Sequence, residues 1–278
     1  MTTVRAEDPD PSRGVRLLTL DRPPANAING DLLSDLSAAL DAAAGDESVR
    51  AVVITGAGRF FSGGLDLRAA GFAEEFRSGL LLSLYRDSHL KLLSFPKPTV
   101  AMVNGHAIAG GLILLLACDL RLGLDAEYRI GLNEVAIGAS FPRAAFEIAR
   151  LRLTHRQASE LLLGTAIYPA GEAVRLGVLD ELLPAGTFEA TVMERDALGV
   201  LAELLPAATF EATVMERAAR LGAFPREAYA HTKAALVAEA VARIEAETPE
   251  EAARTAAVWM TAESVAARAE QQRKLEGR

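Results

Sequence analysis

Between Pro98 and Cys118 the chain carries no Asp, Glu, Lys or Arg. A run of that kind ends up either in a membrane or in the middle of a layered domain. Its first half decides between the two, because Pro98, Asn104, Gly105 and His106 interrupt it. Only Gly111 to Ala117 is continuously apolar, far short of the ~20 residues that cross about 30 Å of hydrocarbon. The run therefore reads as a buried strand (Thr99 to Val103), a glycine-rich turn (Asn104 to Gly111) and a helix from Gly111 to about Cys118. That helix is apolar on every side and so must be covered on every side.

The rest of the chain supplies the cover. Val15 to Leu20 reads as a strand that stops at Asp21-Arg22-Pro23-Pro24. Asn29 or Asp31 then caps a helix whose Leu32, Leu33, Leu36 and Leu40 recur at helical spacing, ending near Gly45. Ala51 to Thr55 is an unbroken apolar run, the pattern of a strand covered on both faces. A second glycine-rich turn occupies Phe61 to Leu67, and one long helix is expected from Phe72 to Leu93. Strand-like Leu120 to Leu124 and Tyr128 to Gly131 follow, and after Arg143 the chain is mainly helical. Strands alternating with helices imply an α/β layered domain, and the Ala- and Glu-rich stretch from Arg226 to Arg278 implies a helical appendage.

With 278 residues, half of them apolar, the chain has enough material for a sizeable core. Cys118 has no possible disulfide partner and is expected to be a small core residue. A net charge of −8 with no Lys/Arg-rich run excludes binding to a phosphate backbone, so no nucleic acid partner is expected. Met1 to Gly14 places Glu7, Asp8 and Asp10 among prolines and has no apolar run. That is not the pattern of a signal peptide, and a cytoplasmic location is expected. His89, His106, His155 and His231 are scattered, without the spacing of a zinc site.

Two stretches are nearly the same. Gly177 to Arg195 and Gly199 to Arg217 differ only at Asp180/Ala202 and Gly186/Ala208. A solenoid needs three or more units, so a local tandem duplication is the better reading. Without one unit the chain has 278 − 22 = 256 residues. The first copy is expected to supply the strand and turn after Tyr168 to Leu176, and the second to run on into the C-terminal helices. Identity of the copies leaves the opposite assignment open. The expected organisation is a core over residues 1–186, a duplicated surface insert over 187–208 and a helical oligomerisation region over 209–278.

Each glycine-rich turn sits where a strand gives way to a helix or loop, so each can present backbone N–H groups that no carbonyl of the chain satisfies. Alone, either is explained by the need to bend the chain. Neither matches a dinucleotide or Walker-type phosphate loop. Together with their neighbours they say more. RPPANAI (22–28), FFSGGLDL (60–67), KPTVAMVNGHAIAGG (97–111), ACD (117–119) and IGLNEVAIG (130–138) stand in the order and approximate spacing of the crotonase, or enoyl-CoA hydratase/isomerase, superfamily. The resemblance covers the chain apart from the extra repeat unit. It implies a spiral of ββα units with a C-terminal helical trimerisation region, trimers or dimers of trimers, and acyl-CoA thioester substrates. It also implies an oxyanion hole made by the N–H groups of Leu65 and Gly110, the latter at a helix N-terminus. Arg22, Ala25, Gly63, Asp66, Leu67 and Gly111 fall on the substrate and CoA side of the same motifs. Arg22 and Arg59 are the cations expected to meet the CoA phosphates. No dissociable cofactor is implied, since CoA arrives with the substrate.

Hydratases of this superfamily carry two glutamates. Here the first position, two residues beyond the Gly-Gly pair, is Ile113, and the second is Glu134. Hydration needs one group to activate water and another to manage the proton. Moving a double bond from C3 to C2 needs a single carboxylate, and IGLNE with one retained glutamate resembles the mitochondrial-type 3,2-trans-enoyl-CoA isomerases. The expected activity is that isomerisation, with Glu134 as proton shuttle. Its surroundings of Leu112, Ile113 and Ile137 should raise its pKa by desolvation. The alternatives are an enoyl-CoA hydratase using Glu74 or Glu75 and a non-catalytic acyl-CoA binder. Asp119 and His106 are expected to be hydrogen-bonding structural residues. Phe72, Phe141 and Phe146 are candidates for an acyl tunnel or for core packing.

Overall fold

The computed structural model describes residues 2–186 and 209–276. An edge strand β1 (Val4–Glu7) precedes β2 (Val15–Leu20) and helix α1 (Gly30–Gly45), after which come β3 (Ala51–Gly56), β4 (Phe60–Ser62), α2 (Phe72–Arg77) and α3 (Leu80–Leu93). Next are β5 (Thr99–Val103), β6 (His106–Ile108), α4 (Gly110–Leu116), β7 (Leu120–Leu124), β8 (Arg129–Gly131) and a 3-10 turn over Val135–Ile137. Helices α5 (Arg143–Arg152) and α6 (His155–Gly164), strand β9 (Ile167–Pro169), α7 (Ala170–Arg175) and β10 (Glu181–Leu183) complete the first described segment. The second holds α8 (Phe210–Gly222), α9 (Arg226–Glu245), α10 (Pro249–Trp259) and α11 (Ala262–Glu276).

The strands form a six-stranded sheet, β1-β2-β3-β5-β7-β10, and a four-stranded sheet, β4-β6-β8-β9. Three successive units place their first strand (β3, β5, β7) in the large sheet and their second (β4, β6, β8) in the small one. Neighbouring units pair in parallel in both sheets, Val52 opposite Thr99 and Val100 opposite Leu120 in one, Phe60 opposite His106 and Ala107 opposite Ile130 in the other. Each ββα unit thus advances the chain by one step, and the result is the crotonase spiral.

Both faces of the large sheet are covered, which explains the unbroken apolar runs. Val52 and Ile54 point into one cluster with Leu32, Leu36, Leu40 and the whole of α4, whereas Ala51 and Val53 join Val15, Val100, Met102 and Leu122 under Phe210, Val214 and Met215 of α8. Cys118 lies fully buried in the first cluster, and burial pushes its thiol up to about 12.

Two expectations fail locally. The stretch from Phe72 to Leu93 is two helices, because Gly79 at φ +79° turns the chain between them. Strand β1, unread in the sequence, is an edge strand with only Val4 turned inward, so it carries no apolar run.

The C-terminal helices are tied to the spiral through Asp119. Its Oδ2 accepts hydrogen bonds from Thr99 N (3.0 Å), Thr99 Oγ1 (2.9 Å), Tyr229 Oη (3.0 Å) and the buried Lys233 Nζ (2.7 Å). Of the repeated stretches, the first copy supplies β10 and the second supplies α8, which Thr209 caps by accepting from Ala212 N. Arg217 of α8 pairs with Glu181 of β10. The expected insert, residues 187–208, lies outside the described residues.

Candidate active site

The first glycine turn is held by the loop that precedes α1. Asn26 is buried there at φ +49°, donating from Nδ2 to Ala57 O (2.9 Å) and Phe60 O (2.8 Å) and accepting the Arg22 amide at Oδ1 (3.1 Å). Ser62 Oγ donates to Asn26 O, Gly63 N donates to Ala25 O, and an isolated parallel bridge joins Ile28 to Leu65. In that bridge Ile28 N donates to Gly64 O (2.7 Å) and Asp66 N donates to Ile28 O (2.8 Å). The groups on either side of Leu65 are thus used, while its own N–H faces the other way. That amide has no acceptor among the described residues.

The second turn brings a second free amide beside it. Ala109 N donates to Gly131 O (2.8 Å), and Ala109 itself adopts φ +53°, ψ −130°, a region that costs a residue with a Cβ about 1–3 kcal/mol. The strain turns the chain sharply into α4, whose first amide, that of Gly110, has no acceptor among the described residues. The two turns touch. A Cβ on Gly64 would stand 2.8 Å from Ala109 Cβ and 3.0 Å from Gly110 N, and one on Gly111 would stand 2.3 Å from Ser62 O. These glycines are required by close approach of two backbones as well as by the bend.

The Ala109–Gly131 bond also fixes the end of β8, three residues before Glu134. Glu134 is 7% exposed, and its Oε2 has no hydrogen-bond partner among the described residues. Burial pushes its carboxyl up to about 7, in the direction the apolar surroundings predict, against a smaller downward pull from the backbone amides of Glu134 and Asn133. Among the described residues no charged side chain forms an ion pair with Glu134. Ile113 is fully buried in the main core. Glu74 is exposed on α2 and pairs with Arg77.

Other sequence candidates divide. Arg22 is bound by Asp66 (2.7 Å) and by Ala27 O (3.0 Å), so both members of the pair are engaged with each other. Arg59 is exposed. Leu67 N donates to Leu65 O, closing the turn. His106 packs at a tilt against Phe60 and accepts the Arg129 amide at Nδ1 (3.0 Å), a packed and bonded histidine. Asp119 is the structural acceptor described above. The three phenylalanines do not gather. Phe72 packs on Phe76 and Trp259, while Phe141 and Phe146 line an outer groove of about 540 Å³ with Leu153 and Leu162.

Several site residues escaped the sequence reading. Asn26 was inside a quoted motif, but its role as the hub of the loop is invisible without the carbonyls it reaches. Tyr85 of α3 lies inside the stretch expected to be one long helix and was not singled out, yet its ring lies 3.6 Å from the Cβ position of Gly110 and its phenol is pushed well above its usual range by burial and by the Glu134 charge. Trp259 donates to Ser140 O (2.8 Å), and Ser264 of α11 packs on Gly138, so the chain's own C-terminal helices cover the segment that carries Glu134.

Comparison with known proteins places this geometry. The profile of the enoyl-CoA hydratase/isomerase family matches residues 10–197. Mouse mitochondrial enoyl-CoA delta isomerase 1 is 33% identical over 62% of this chain, and the 2,3-dehydroadipyl-CoA hydratase of Escherichia coli is 36% identical, also over 62%. The matched segments span 60% and 66% of those two relatives, less than two thirds of either. Among solved structures, an enoyl-CoA isomerase of Mycobacterium tuberculosis superposes with a TM-score of 0.73 at 30% identity, covering 92% of this chain and 98% of that one.

Proposed function

The chain belongs to the enoyl-CoA hydratase/isomerase family, and from that premise we propose that it converts 3-enoyl-CoA to 2-trans-enoyl-CoA with Glu134 as its only acid–base group. The observation that carries the reading is the isolation of Glu134: the site's other hydratase position is the buried Ile113, and among the described residues no charged side chain forms an ion pair or hydrogen bond with the Glu134 carboxyl, whose Oε2 is buried and unpaired.

In the proposed reaction the thioester oxygen accepts hydrogen bonds from the N–H groups of Leu65 and Gly110, which have no competing acceptor among the described residues. These fixed dipoles stabilise the negative charge that develops as a C2 proton leaves. Glu134 takes that proton, the C3–C4 double bond moves to C2–C3, and the same carboxyl returns the proton to C4. No atom is gained or lost, so neither water nor a dissociable cofactor enters the balance. A carboxyl that titrates at about 7 serves both half-reactions near neutral pH. Arg22, Ala25, Gly63, Asp66, Leu67 and Gly111 frame the CoA end, with the Arg22–Asp66 pair holding the shape of the loop and Arg59 free to meet phosphate. The C-terminal helices are the proposed trimerisation region, and the cytoplasm the proposed location. Among the described residues no helix is long and apolar enough to cross a membrane.

Hydration is the second reading, favoured by the E. coli relative named as a hydratase. Binding of acyl-CoA without turnover is the third. Purified protein assayed with 3-enoyl-CoA and 2-enoyl-CoA thioesters of several lengths separates them. Appearance of the conjugated enoyl absorbance from the 3-enoyl substrates, with no loss of it from the 2-enoyl ones, supports isomerisation. Loss of that absorbance indicates hydration, and tight binding with neither change indicates a binder.

A further inference from the structure

The layer between β7 and the helices α5 and α9 gathers more positive charge than negative. Asp119, just before β7, and Arg121 inside it stand two residues apart, so their side chains leave the same face of the strand. On that face Ala101, the neighbour of Arg121 across the sheet, joins the core of α4, α5 and α9. Arg152 comes from the end of α5, its Nε donating to Leu116 O (3.0 Å) and its Nη2 standing 3.5 Å from Asp119 Oδ1. Lys233 comes from α9 and is spent on Asp119 Oδ2. Asp180, just before β10, accepts the Arg121 amide (2.7 Å) and pairs with Arg121 Nη2. The described residues thus set three cations, Arg121, Arg152 and Lys233, around two carboxylates, Asp119 and Asp180. Cys118 adds no charge, since burial pushes its thiol up to about 12.

The excess falls on the two arginines. Arg121 is 8% exposed, and its Nε and Nη1 are buried with no hydrogen-bond partner among the described residues, as is Arg152 Nη2. Burial lowers the Arg152 guanidinium from its usual value, Asp119 raises it and the neighbouring Arg121 charge lowers it again. Orphaned cationic donors and an uncompensated charge are each costly in a buried layer. Water satisfies donors but leaves the charge. A small monovalent anion answers both. We propose that Arg121 and Arg152 hold one chloride-sized anion between their guanidiniums, where it joins β7 to α5 and balances the charge beside Asp119 and Lys233. Arg152 binds the end of α4 opposite Gly110, so the site is separate from the oxyanion hole and does not depend on which reaction the chain catalyses.

Protein purified and crystallised with bromide in place of chloride tests the site directly. The expected result is an anomalous bromine peak within hydrogen-bond reach of both guanidiniums. Absence of that peak, with water there or with protein partners on the three donors, overturns the proposal. In solution, chloride is raised from zero at constant ionic strength, gluconate making up the balance. The thermal midpoint of the wild type is expected to rise by about 2–4 °C and level off, and that of Arg121→Met to stay unmoved. An equal rise in both proteins is a general salt effect and overturns the proposal. A peak that needs molar bromide, with no response of the midpoint, marks an adventitious ion only and overturns it as well. Should neither Arg121→Met nor Arg152→Gln fold, the bromide map on the wild type decides alone.

Discussion

Ile28 and Leu65 meet in one isolated parallel bridge, and that bridge uses the backbone groups flanking Leu65 while leaving the Leu65 amide without an acceptor among the described residues. A short loop before α1 therefore decides which way a backbone N–H points 37 residues later in the chain. The same economy recurs at Ala109, where a strained residue turns the next amide out of the hydrogen-bond ladder.

The contact between the two turns is intolerant of a single methyl group. Gly64→Ala places a Cβ 2.8 Å from Ala109 Cβ and from Ile108 O at a φ of +81°. The turns must separate, and the loss of one donor position is expected to lower kcat/KM about 10²- to 10³-fold. Steady-state kinetics beside a circular dichroism spectrum checks this, and a variant with unimpaired turnover would contradict it.

Glu134 should cost stability at the pH where it works. Its folded pKa of about 7 lies above the ordinary 4.5, so the folded state binds more protons than the unfolded state between those values. The contribution of this group to stability is therefore greatest below about 4.5 and is lost as pH rises through 7. Glu134→Gln is expected to be more stable than wild type by about 2–3 kcal/mol at pH 8 and to lose that advantage below pH 5. Urea titrations at the two pH values read the difference.

How far the sequence spoke depended on the range of the interaction. The strands β3 and β5 and the buried α4 follow from local pattern, the pattern narrowed the α1 cap to Asn29 or Asp31, of which the structure uses Asn29, and the raised pKa of Glu134 has the expected direction and the expected cause, burial. The motifs carried the family. What stayed hidden was set by contacts between distant segments: the hydrogen bonds of Asn26 to Ala57 and Phe60, the Tyr85 ring against Gly110, and the packing of α11 on Gly138. The break at Gly79 was hidden for another reason, since the apolar spacing of α2 and α3 continues across a glycine that only the φ angle exposes.

Asp119 and Lys233 fasten α9 to the spiral through a 2.7 Å bond, with Lys233 5% exposed. Lys233→Met leaves Asp119 short of its main countercharge in a confined place. The variant is expected to lose about 3 kcal/mol of stability, read by urea denaturation. A loss indistinguishable from zero would mean that Tyr229 and Arg152 suffice for Asp119.

Deleting residues 187–208 joins Gly186 to Thr209-Phe210, which restores the order Gly-Thr-Phe found at Gly186-Thr187-Phe188. We propose that the shortened chain of 278 − 22 = 256 residues keeps β10 and α8 and folds. Soluble expression with an unchanged thermal midpoint is the expected result, and collapse of soluble expression would show that the removed unit is structural.

The account stands on one carboxylate. The turnover of 3-enoyl-CoA by purified Glu134→Gln, measured on protein shown to be folded, tests it most directly. The predicted result is a protein at least as stable as wild type whose kcat has fallen on the order of 10²- to 10⁴-fold. Wild-type turnover in that variant would contradict the assignment of Glu134 and, with it, the proposed reaction.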